Sequence, residues 1–314
     1  MLASLRGLDP RRSLTLSVPL LAAVPLWFLL VRSDAGSALL RWVAPALGAA
    51  ALVQLALVLM AAWREPGADA SAWMRLSGAS WLVVPNDLAW IACLLPFLRI
   101  SAGRWLEWGA AIALVSLALW LHALTLLGAT LFAVLVHALL RRGLRLFALR
   151  WLVPAAVVLL GALLIAALAS PSMLARLQLW TAALQVFADH PLGVGAHNFV
   201  LAYRDSLAVP VETLVDPRVT PWPHSLPLEV LAEFGAPGLL ALIAVAATLR
   251  RRAASLCGTR QPWACANAAA LLVFALLAIT ESSFLRLWVW TLGTLLMGLL
   301  ERQSTVSFTD QGHR

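Results

Sequence analysis

The stretch that decides the fold class is WVAPALGAAALVQLALVLMAA, residues 42–62, which contains no charged side chain. At about 1.5 Å per residue, a helix of this length spans about 30 Å, the thickness of the hydrocarbon core of a bilayer. Similar runs recur along the 314-residue chain, which is 62% hydrophobic and 12% charged, with a mean hydropathy of +0.87. A water-soluble enzyme is therefore excluded, and the sequence predicts a polytopic helical membrane protein.

The apolar runs predict an all-α transmembrane helical bundle with about nine spans. The first run follows three arginines, as a secretory signal would, but no small-x-small cleavage site precedes the second run. We therefore interpret it as a retained helix. The predicted spans are 14–31, 38–62, 86–99, 105–121, 124–140, 150–169, 228–249, 264–280 and 284–300.

One long polar interval, residues 170–227, separates the sixth and seventh predicted spans. It contains seven prolines, which exclude a continuous helix. The predicted organisation thus has three parts: N-terminal transmembrane helices at 1–169, a loop with the candidate site at 170–227, and C-terminal transmembrane helices with a short tail at 228–314.

Within the loop, apolar side chains at helical spacing predict an amphipathic helix over residues 174–187. This helix is expected either to lie at the membrane surface or to pack on the bundle. The residues assigned to its apolar face are Leu174, Leu177, Thr181, Leu184 and Phe187.

The distribution of arginine predicts the sidedness of the chain. All of the positive charge is arginine, and the formal net charge is +8. The short loops 141–150 and 250–263 each carry four arginines, whereas the long loop 170–227 carries three. Because arginine clusters mark cytoplasmic ends, the long loop is predicted to be external, and periplasmic in a Gram-negative cell. No basic stretch is interleaved with aromatic residues, so no nucleic-acid partner is predicted.

Two carboxylates at the start of the seventh predicted span are candidate functional residues. Glu229 and Glu233 are one helical turn apart, so they share a face. A carboxylate within a span is costly and commonly functional. The positive end of a helix, however, also favours an acidic residue for purely structural reasons.

His224 precedes the same span, in the sequence PHSLPLE at 223–229. Ser225 fits the N-cap of a helix and Pro227 fits its first turn. The positive end of that helix favours the neutral imidazole that a general base requires. The alternative is that His224 has a structural role and only makes local hydrogen bonds. We interpret His122 and His137 as structural.

No metal or other cofactor is predicted. Asp189 with His190, and Glu212 with Asp216, lack a third ligand at suitable spacing. The three cysteines have no metal-ligand spacing and cannot form a disulfide framework. A Gly-x-Ser-x-Gly nucleophile elbow is also missing from the sequence.

Several short motifs follow one another in and beside the long loop. They are RLQLW (176–180), ADHPLGVGAHNF (188–199), YR (203–204), PHS (223–225) and LEVLAEFGAPG (228–238), with RLSG (75–78) and PNDLA (85–89) upstream. In this order they resemble the O-antigen ligase and polymerase family. The resemblance covers about residues 75–250.

This resemblance implies transfer of a glycan from an undecaprenyl diphosphate carrier to an acceptor hydroxyl, at the periplasmic face of the bacterial inner membrane. The residue types fit that chemistry, because guanidinium binds diphosphate bidentately and a neutral imidazole accepts a proton. By resemblance, Arg204 is the catalytic diphosphate-binding residue and His224 is the base. The candidate substrate-binding residues are Arg176, Arg218, Glu229 and Glu233.

One cation expected from the resemblance is missing. Many members carry a Ser-Arg pair at the external end of the span before the basic cytoplasmic loop, where this chain reads LTLLGAT at 124–130. Arg176 is the candidate replacement, because an amphipathic helix would hold it at headgroup depth, where phosphate contacts are less screened than in bulk water. The chain is thus predicted to be a metal-independent transferase with a substituted cation, or else a degenerate member.

The acceptor remains open between three enzymes of the family. A ligase uses lipid A core in lipopolysaccharide biosynthesis, a polymerase uses another polysaccharide repeat, and a protein O-oligosaccharyltransferase uses a protein hydroxyl. The HSxxLE form at 224–229 favours the ligase. From another class, the alternatives are a transporter or a non-catalytic envelope-glycan membrane protein. A transporter is expected to place polar residues at the membrane midplane, whereas the polar residues here concentrate in the long loop.

Overall fold

The computed structural model describes residues 8–11, 13, 15, 23–65, 85–121, 123–141, 171–206, 222–257, 261–281 and 287–311. These residues form helices joined by turns, and no strand occurs among them. The α-helices are α1 Ala23–Arg32, α2 Ala35–Arg64, α3 Leu95–Ser101, α4 Arg104–Trp120, α5 Leu124–Arg141, α6 Pro171–Asp189, α7 Phe199–Ser206, α8 Leu226–Cys257, α9 Pro262–Thr280 and α10 Leu287–Gln311. The all-α prediction is confirmed for this part of the chain.

Helices occupy the predicted spans that the structure describes, and some of them are apolar enough to be candidate membrane spans. Within those residues, four helices are long and apolar enough to cross a bilayer, and two shorter apolar helices accompany them. The four are Ala35–Arg64, Leu124–Arg141, Leu226–Ala253 and Pro262–Thr280, and the shorter two are Ala23–Arg32 and Leu88–Ser101. The predicted span 150–169 lies outside the described residues, so the number of spans stays a prediction. The apolar helices nevertheless mark the chain as a membrane protein.

The predicted span at 86–99 is a 3₁₀ helix, Pro85–Leu94, followed directly by α3. A 3₁₀ helix rises about 2.0 Å per residue and an α-helix about 1.5 Å, so the pair extends about 30 Å. Every side chain from Leu88 to Leu98 is buried. This segment is therefore long enough to cross a bilayer while it serves as a core element of the helices around it.

The described residues form two compact units that interleave along the sequence. The first contains those of Met1–Phe28, Gly161–Arg251 and Ala278–Thr294, and the second contains those of Leu29–Leu160, Arg252–Leu277 and Leu295–Arg314. We call the first the site unit, because the long loop falls within it, and the second the bundle unit. The predicted boundaries at 169 and 227 separate the loop from the transmembrane helices, not compact units, and they stay predictions.

In the bundle unit, small residues allow helices to approach closely. The buried face of α2 includes Gly36, Ala44 and Gly48 at helical spacing. A Cβ added at Gly48 would lie 2.9 Å from the side chain of Leu98, so the two helices meet at this point. Contacts through small residues are typical of helices that associate in a membrane.

The bundle unit also contains a buried ionic cluster. Glu107 of α4 is 6% exposed. Its carboxylate lies 3.1 Å from Nδ1 of His137 on α5 and 3.4 Å from a guanidinium nitrogen of Arg99 on α3. The interpretation of His137 as structural agrees with this position, since the cluster joins three packed helices.

In the site unit, the helix predicted over 174–187 is α6, and it packs on a core with a different face from the predicted one. The core residues of α6 are Ala175, Leu179, Ala182, Ala183 and Val186, with Val194, Phe199, Ala202, Tyr203 and Ala232 from other segments. Leu174 and Leu184 are 38% and 52% exposed. The small alanines allow close packing, and the larger leucines are left on the outer surface.

Beyond its kink at Gly235, α8 exposes most of its apolar side chains. Leu240, Ile243 and Val245 are exposed, in a segment whose mean hydropathy reaches 2.0. An exposed apolar surface of this size marks a contact with lipid or with a partner.

Candidate functional site

The glycine motifs of the loop and of α8 form one backbone junction. Pro237 has no N–H to donate to the backbone carbonyl of Glu233, one turn earlier in the helix. The N–H of Gly195 in the loop donates to that carbonyl instead, at 2.9 Å. The N–H of Val194 donates to Ala232 at 3.1 Å. The N–H of Ala236 donates outside the helix, to the backbone carbonyl of Pro191 in the loop, at 3.0 Å. The loop thus supplies partners for three backbone groups of the kink, the carbonyls of residues 232 and 233 and the N–H of residue 236.

Two of these positions require glycine. Gly193 has φ +87° and Gly235 has φ +65°, a region that L side chains rarely adopt. A Cβ at Gly193 would lie 2.3 Å from the carbonyl oxygen of Glu233, and a Cβ at Gly235 would lie 2.2 Å from that of Pro191. The first glycine of each motif, Gly193 and Gly235, is therefore explained by packing of backbone on backbone.

An N-terminal segment holds the same loop from the other side. The N–H of Leu8 donates to the backbone carbonyl of Val194 at 3.0 Å, and the hydroxyl of Ser13 donates to the backbone carbonyl of Ala196 at 2.6 Å. The side-chain amide of Asn198 donates to Ser13 Oγ at 3.1 Å and to the carbonyl of Val194 at 3.0 Å. Sequence reasoning missed this contact, because about 180 residues separate the two segments. It brings Leu8 and Ser13 into contact with residues 194–198 of the loop.

His224 lies directly before α8, as predicted. The N–H of Glu229 donates to the backbone carbonyl of Ser225 at 2.8 Å, which is the first hydrogen bond of the helix. Ser225 therefore occupies the predicted N-cap position, and Pro227 lies in the first turn. The backbone of His224 has φ +49°. Trp180 of α6 donates its indole N–H to the carbonyl of Pro223 at 2.7 Å, which fixes the turn that carries the histidine.

The structure adds a residue that sequence reasoning missed, Glu281 at the end of α9. Its carboxylate is 1% exposed and lies 2.9 Å from one terminal nitrogen of Arg176. The other terminal nitrogen of Arg176 donates to the carbonyl of Thr280 at 2.9 Å. The second carboxylate oxygen lies 3.9 Å from Nδ1 of His224. Arg176, His224 and Glu281 therefore form one cluster, which we call the site cluster.

The charges of the site cluster keep Glu281 ionised. Burial by itself raises the pKa of the Glu281 carboxyl, but the Arg176 guanidinium, together with His224, outweighs burial and holds that pKa below its ordinary value. The sequence contains a signal for this residue, since Glu281 is the one acidic side chain between the predicted spans 264–280 and 284–300. An acid next to a span is a candidate functional residue.

Glu229 and Glu233 lie outside the site cluster contacts described above. Both are fully buried. The carboxylate of Glu233 accepts the backbone N–H of Phe199 at 3.4 Å, at the start of α7. This contact ties α8 to α7, and the substrate-binding roles of both residues stay predictions.

The remaining candidate cations are only partly described. Arg204 lies on α7, next to Tyr203, whose ring stacks on Phe199 with centroids 5.9 Å apart. The side chain of Arg204 and all of Arg218 lie outside the described residues, as do Glu212 and Asp216. The upstream motif at 75–78 and the side chains of residues 85–87 also lie outside them.

Among the residues that the structure describes, no three His, Cys, Asp or Glu side chains converge in a way that could hold a metal ion. The site cluster contains two groups that could bind a metal, His224 and Glu281, and its third member is an arginine.

The comparisons with known proteins address the family. The family model described as O-antigen ligase matches residues 72–243, more than half of the chain, including α6, α7 and the first part of α8. Among curated proteins, no sequence matches this chain. The matched range contains the glycine junction, Arg176, Arg204 and His224, whereas Glu281 and the N-terminal segment lie beyond it. By the match over residues 72–243, the chain belongs to the O-antigen ligase family of glycan-transferring membrane enzymes.

Proposed function

We propose that this protein is a membrane glycosyltransferase of the O-antigen ligase type. It moves a glycan from an undecaprenyl diphosphate carrier to an acceptor hydroxyl at the periplasmic face of the bacterial inner membrane. The observation that carries the proposal is His224, which lies within the matched range 72–243 at the N-terminus of α8, with its Nδ1 3.9 Å from the buried carboxylate of Glu281. A histidine in such a position is suited to act as a base.

In the proposed reaction, His224 accepts the proton of the acceptor hydroxyl. The acceptor oxygen forms a bond to the anomeric carbon of the glycan, and the bond from that carbon to the diphosphate oxygen breaks. The lipid diphosphate leaves with the bonding electron pair. Its growing charge needs cationic partners, which guanidinium groups provide without a metal. Arg204 is the proposed partner, and Arg218 is a second candidate.

Arg176 has a more constrained place in this proposal. Its two terminal nitrogens already bind Glu281 and the carbonyl of Thr280. A guanidinium has five N–H donors, so Arg176 retains donors for a phosphate oxygen. Its net charge is, however, balanced by Glu281. We therefore propose that Arg176 contributes hydrogen bonds to the diphosphate and that Arg204 contributes the larger part of the charge.

The sidedness of the site follows from arginine distribution and is part of the proposal. The arginine-poor loop 170–227 is periplasmic, and the short arginine-rich loops are cytoplasmic. The leucines that α6 leaves exposed, Leu174 and Leu184, support a position of α6 at the membrane surface, where a lipid-linked donor would reach Arg176.

The acceptor class is proposed from the motif. The HSxxLE form favours ligation to lipid A core over polymerisation or transfer to protein. The broken helix at Gly235 does not favour a transporter, because its freed carbonyls accept loop N–H groups and are not left for a bound solute.

The purified enzyme tests the proposal directly. His224→Ala is expected to lower transfer from a synthetic lipid diphosphate donor by ~10²-fold or more, with unchanged insertion and abundance, because a general base is lost. Near-wild-type transfer by this variant would remove His224 from the mechanism. Activity that vanishes in EDTA and returns with a divalent cation would contradict the metal-independent chemistry.

A lipopolysaccharide ladder from a deletion strain identifies the acceptor. Loss of every O-antigen band indicates a ligase, a single capped unit indicates a polymerase, and an unchanged ladder with altered glycoproteins indicates a protein transferase. If the wild-type protein is inactive while Gly128→Arg creates transfer, the chain is a degenerate member. That position lies in α5, where LTLLGAT supplies no arginine.

A further inference from the structure

We propose that Glu281 is a positioning residue for the transfer reaction, one that orients the imidazole of His224 through Nδ1 and is itself fixed by Arg176. This inference rests on the proposed function, and it extends the site beyond the matched range 72–243 to the end of α9.

The geometry makes the carboxylate a bridge between two side chains. One oxygen of Glu281 binds Arg176 at 2.9 Å, and the other faces Nδ1 of His224 at 3.9 Å. The second distance is longer than a hydrogen bond, so contact needs a small movement of the imidazole or one bridging water. In structures without substrate, catalytic hydrogen bonds are often long and shorten when the substrate binds.

The surroundings restrict how the bridge can move. Arg176 is anchored twice, by the carboxylate and by the carbonyl of Thr280. Trp180, one turn after Arg176 on α6, binds the carbonyl of Pro223, next to His224. The same face of α6 therefore holds both ends of the bridge, and the imidazole has little freedom except to rotate about its own side-chain bonds.

A carboxylate at Nδ1 has a definite chemical consequence. When Nδ1 carries its proton toward the carboxylate, Nε2 is left as the acceptor for the proton of the incoming hydroxyl. The same carboxylate stabilises the imidazolium that forms once the proton has moved. Arg176 keeps Glu281 ionised in its buried position, so the carboxylate is available as an acceptor.

The bundle unit provides a matched control. Glu107 is also a buried carboxylate between an arginine and a histidine Nδ1, at 3.4 Å and 3.1 Å. It belongs to the other unit. Glu107→Gln therefore removes a similar buried charge and tests whether any such loss lowers activity.

The experiment measures kcat and KM of the purified full-length protein with a synthetic undecaprenyl diphosphate-linked glycan and a lipid A core acceptor. Glu281→Gln is expected to lower kcat by roughly 10- to 100-fold while KM for the donor changes little, because base orientation is lost and the donor contacts remain. Glu281→Asp is expected to restore part of kcat, since it keeps the charge. Glu107→Gln is expected to retain the wild-type kcat in the folded fraction.

A double variant separates positioning from general damage. In a His224→Ala background, Glu281→Gln is expected to cause little further loss of kcat, because both changes act through one group. Multiplicative losses would overturn the inference, and so would a wild-type kcat for Glu281→Gln. If Glu281→Gln does not fold, Glu281→Asp decides alone: its shorter side chain must lower kcat, and a wild-type value overturns the inference.

The outcomes also separate this inference from the proposed function. If His224→Ala is active, the proposed base is wrong, whatever Glu281 does. If His224→Ala is inactive and Glu281→Gln has the wild-type kcat, only the role of Glu281 is wrong.

Discussion

Arg204 is the residue whose charge the proposed reaction needs most, because the leaving diphosphate gains charge as the sugar bond breaks. Arg204→Ala is expected to weaken donor binding or transfer by roughly 1.5–3 kcal/mol, the usual range for a charge-assisted contact. That loss corresponds to roughly 10- to 150-fold. Arg204→Lys is expected to restore only part of the loss, since a point charge cannot form the bidentate contact.

Transfer kinetics with the lipid diphosphate donor check this prediction, and Arg251→Ala serves as the control. Arg251 is an exposed cation on α8 whose side chain contacts Thr248 at 3.4 Å. It is expected to behave as wild type. If Arg204→Ala is fully active while Arg218→Ala is inactive, the diphosphate is held by Arg218.

Glu281 also predicts a dependence of stability on pH. Its pKa in the folded protein lies below the ordinary value of 4.5, because Arg176 and His224 outweigh burial. A group with a lowered folded pKa stabilises the fold above its unfolded pKa, and this contribution is lost as the pH falls through the folded value. The Tm difference between wild type and Glu281→Gln is therefore expected to be constant above about pH 4.5 and to shrink below it. A difference that grows on acidification would contradict the ion pair.

The two residues of the His224–Glu281 contact differ in how far sequence could predict them. His224 was identifiable because its neighbours Ser225 and Pro227 carry local information about the start of a helix. Glu281 meets Arg176 across 105 residues, and nothing local to either residue indicates that contact. The position of His224 before α8 was thus predictable, whereas its contact with Glu281 was not, and the catalytic roles of both residues stay proposals.

At the scale of elements, the glycine junction between the loop and α8 predicts a large effect of a single methyl group. Gly193 and Gly103 have nearly the same positive φ, +87° and +89°. A Cβ at Gly103 would meet nothing within 4 Å, whereas one at Gly193 would lie 2.3 Å from backbone. Gly103→Ala is therefore expected to cost only backbone strain, about 1–3 kcal/mol, because φ +89° with ψ 172° is a region essentially restricted to glycine. Gly193→Ala is expected to cost clearly more, because the junction must open.

Thermal unfolding of the two purified variants measures the difference. The lower Tm is expected for Gly193→Ala, together with reduced transfer, because Gly195 and Val194 lose their contacts with α8. Equal Tm losses in the two variants would show that the junction is not as tight as the distances indicate.

The faces of α6 show where pattern analysis reaches its limit. The periodic leucines correctly predicted a helix over 174–187. They did not predict the packed face, because small alanines at 175, 182 and 183 permit an approach that leucines would prevent. Side-chain size in a membrane protein can thus oppose the rule that the most apolar face is the buried one, since lipid also accepts leucine.

At the scale of the whole molecule, the N-terminal segment bears on the topology. Arginine counting with nine spans places Arg6, Arg11 and Arg12 outside, against the positive-inside rule. Because Leu8 and Ser13 donate hydrogen bonds to the loop, we expect the N-terminal segment to share the side of the loop. We therefore expect this segment to be an exception to the rule, and its contacts with residues 194–198 supply a structural reason.

Cysteine labelling tests the side of the membrane on which the loop lies and the side on which the N-terminal segment lies. In a background without the native cysteines, Leu8→Cys and Ser206→Cys are expected to react with an impermeant maleimide in intact spheroplasts, and Arg145→Cys is expected to react only after permeabilisation. Leu8 is 48% exposed, so its replacement is accessible to the reagent without a change in packing. Labelling at 145 but not at 206 would reverse the proposed sidedness. Labelling at 206 but not at 8 would instead contradict the contact between the N-terminal segment and the loop. The N-terminal arginines would then be cytoplasmic, in agreement with the positive-inside rule.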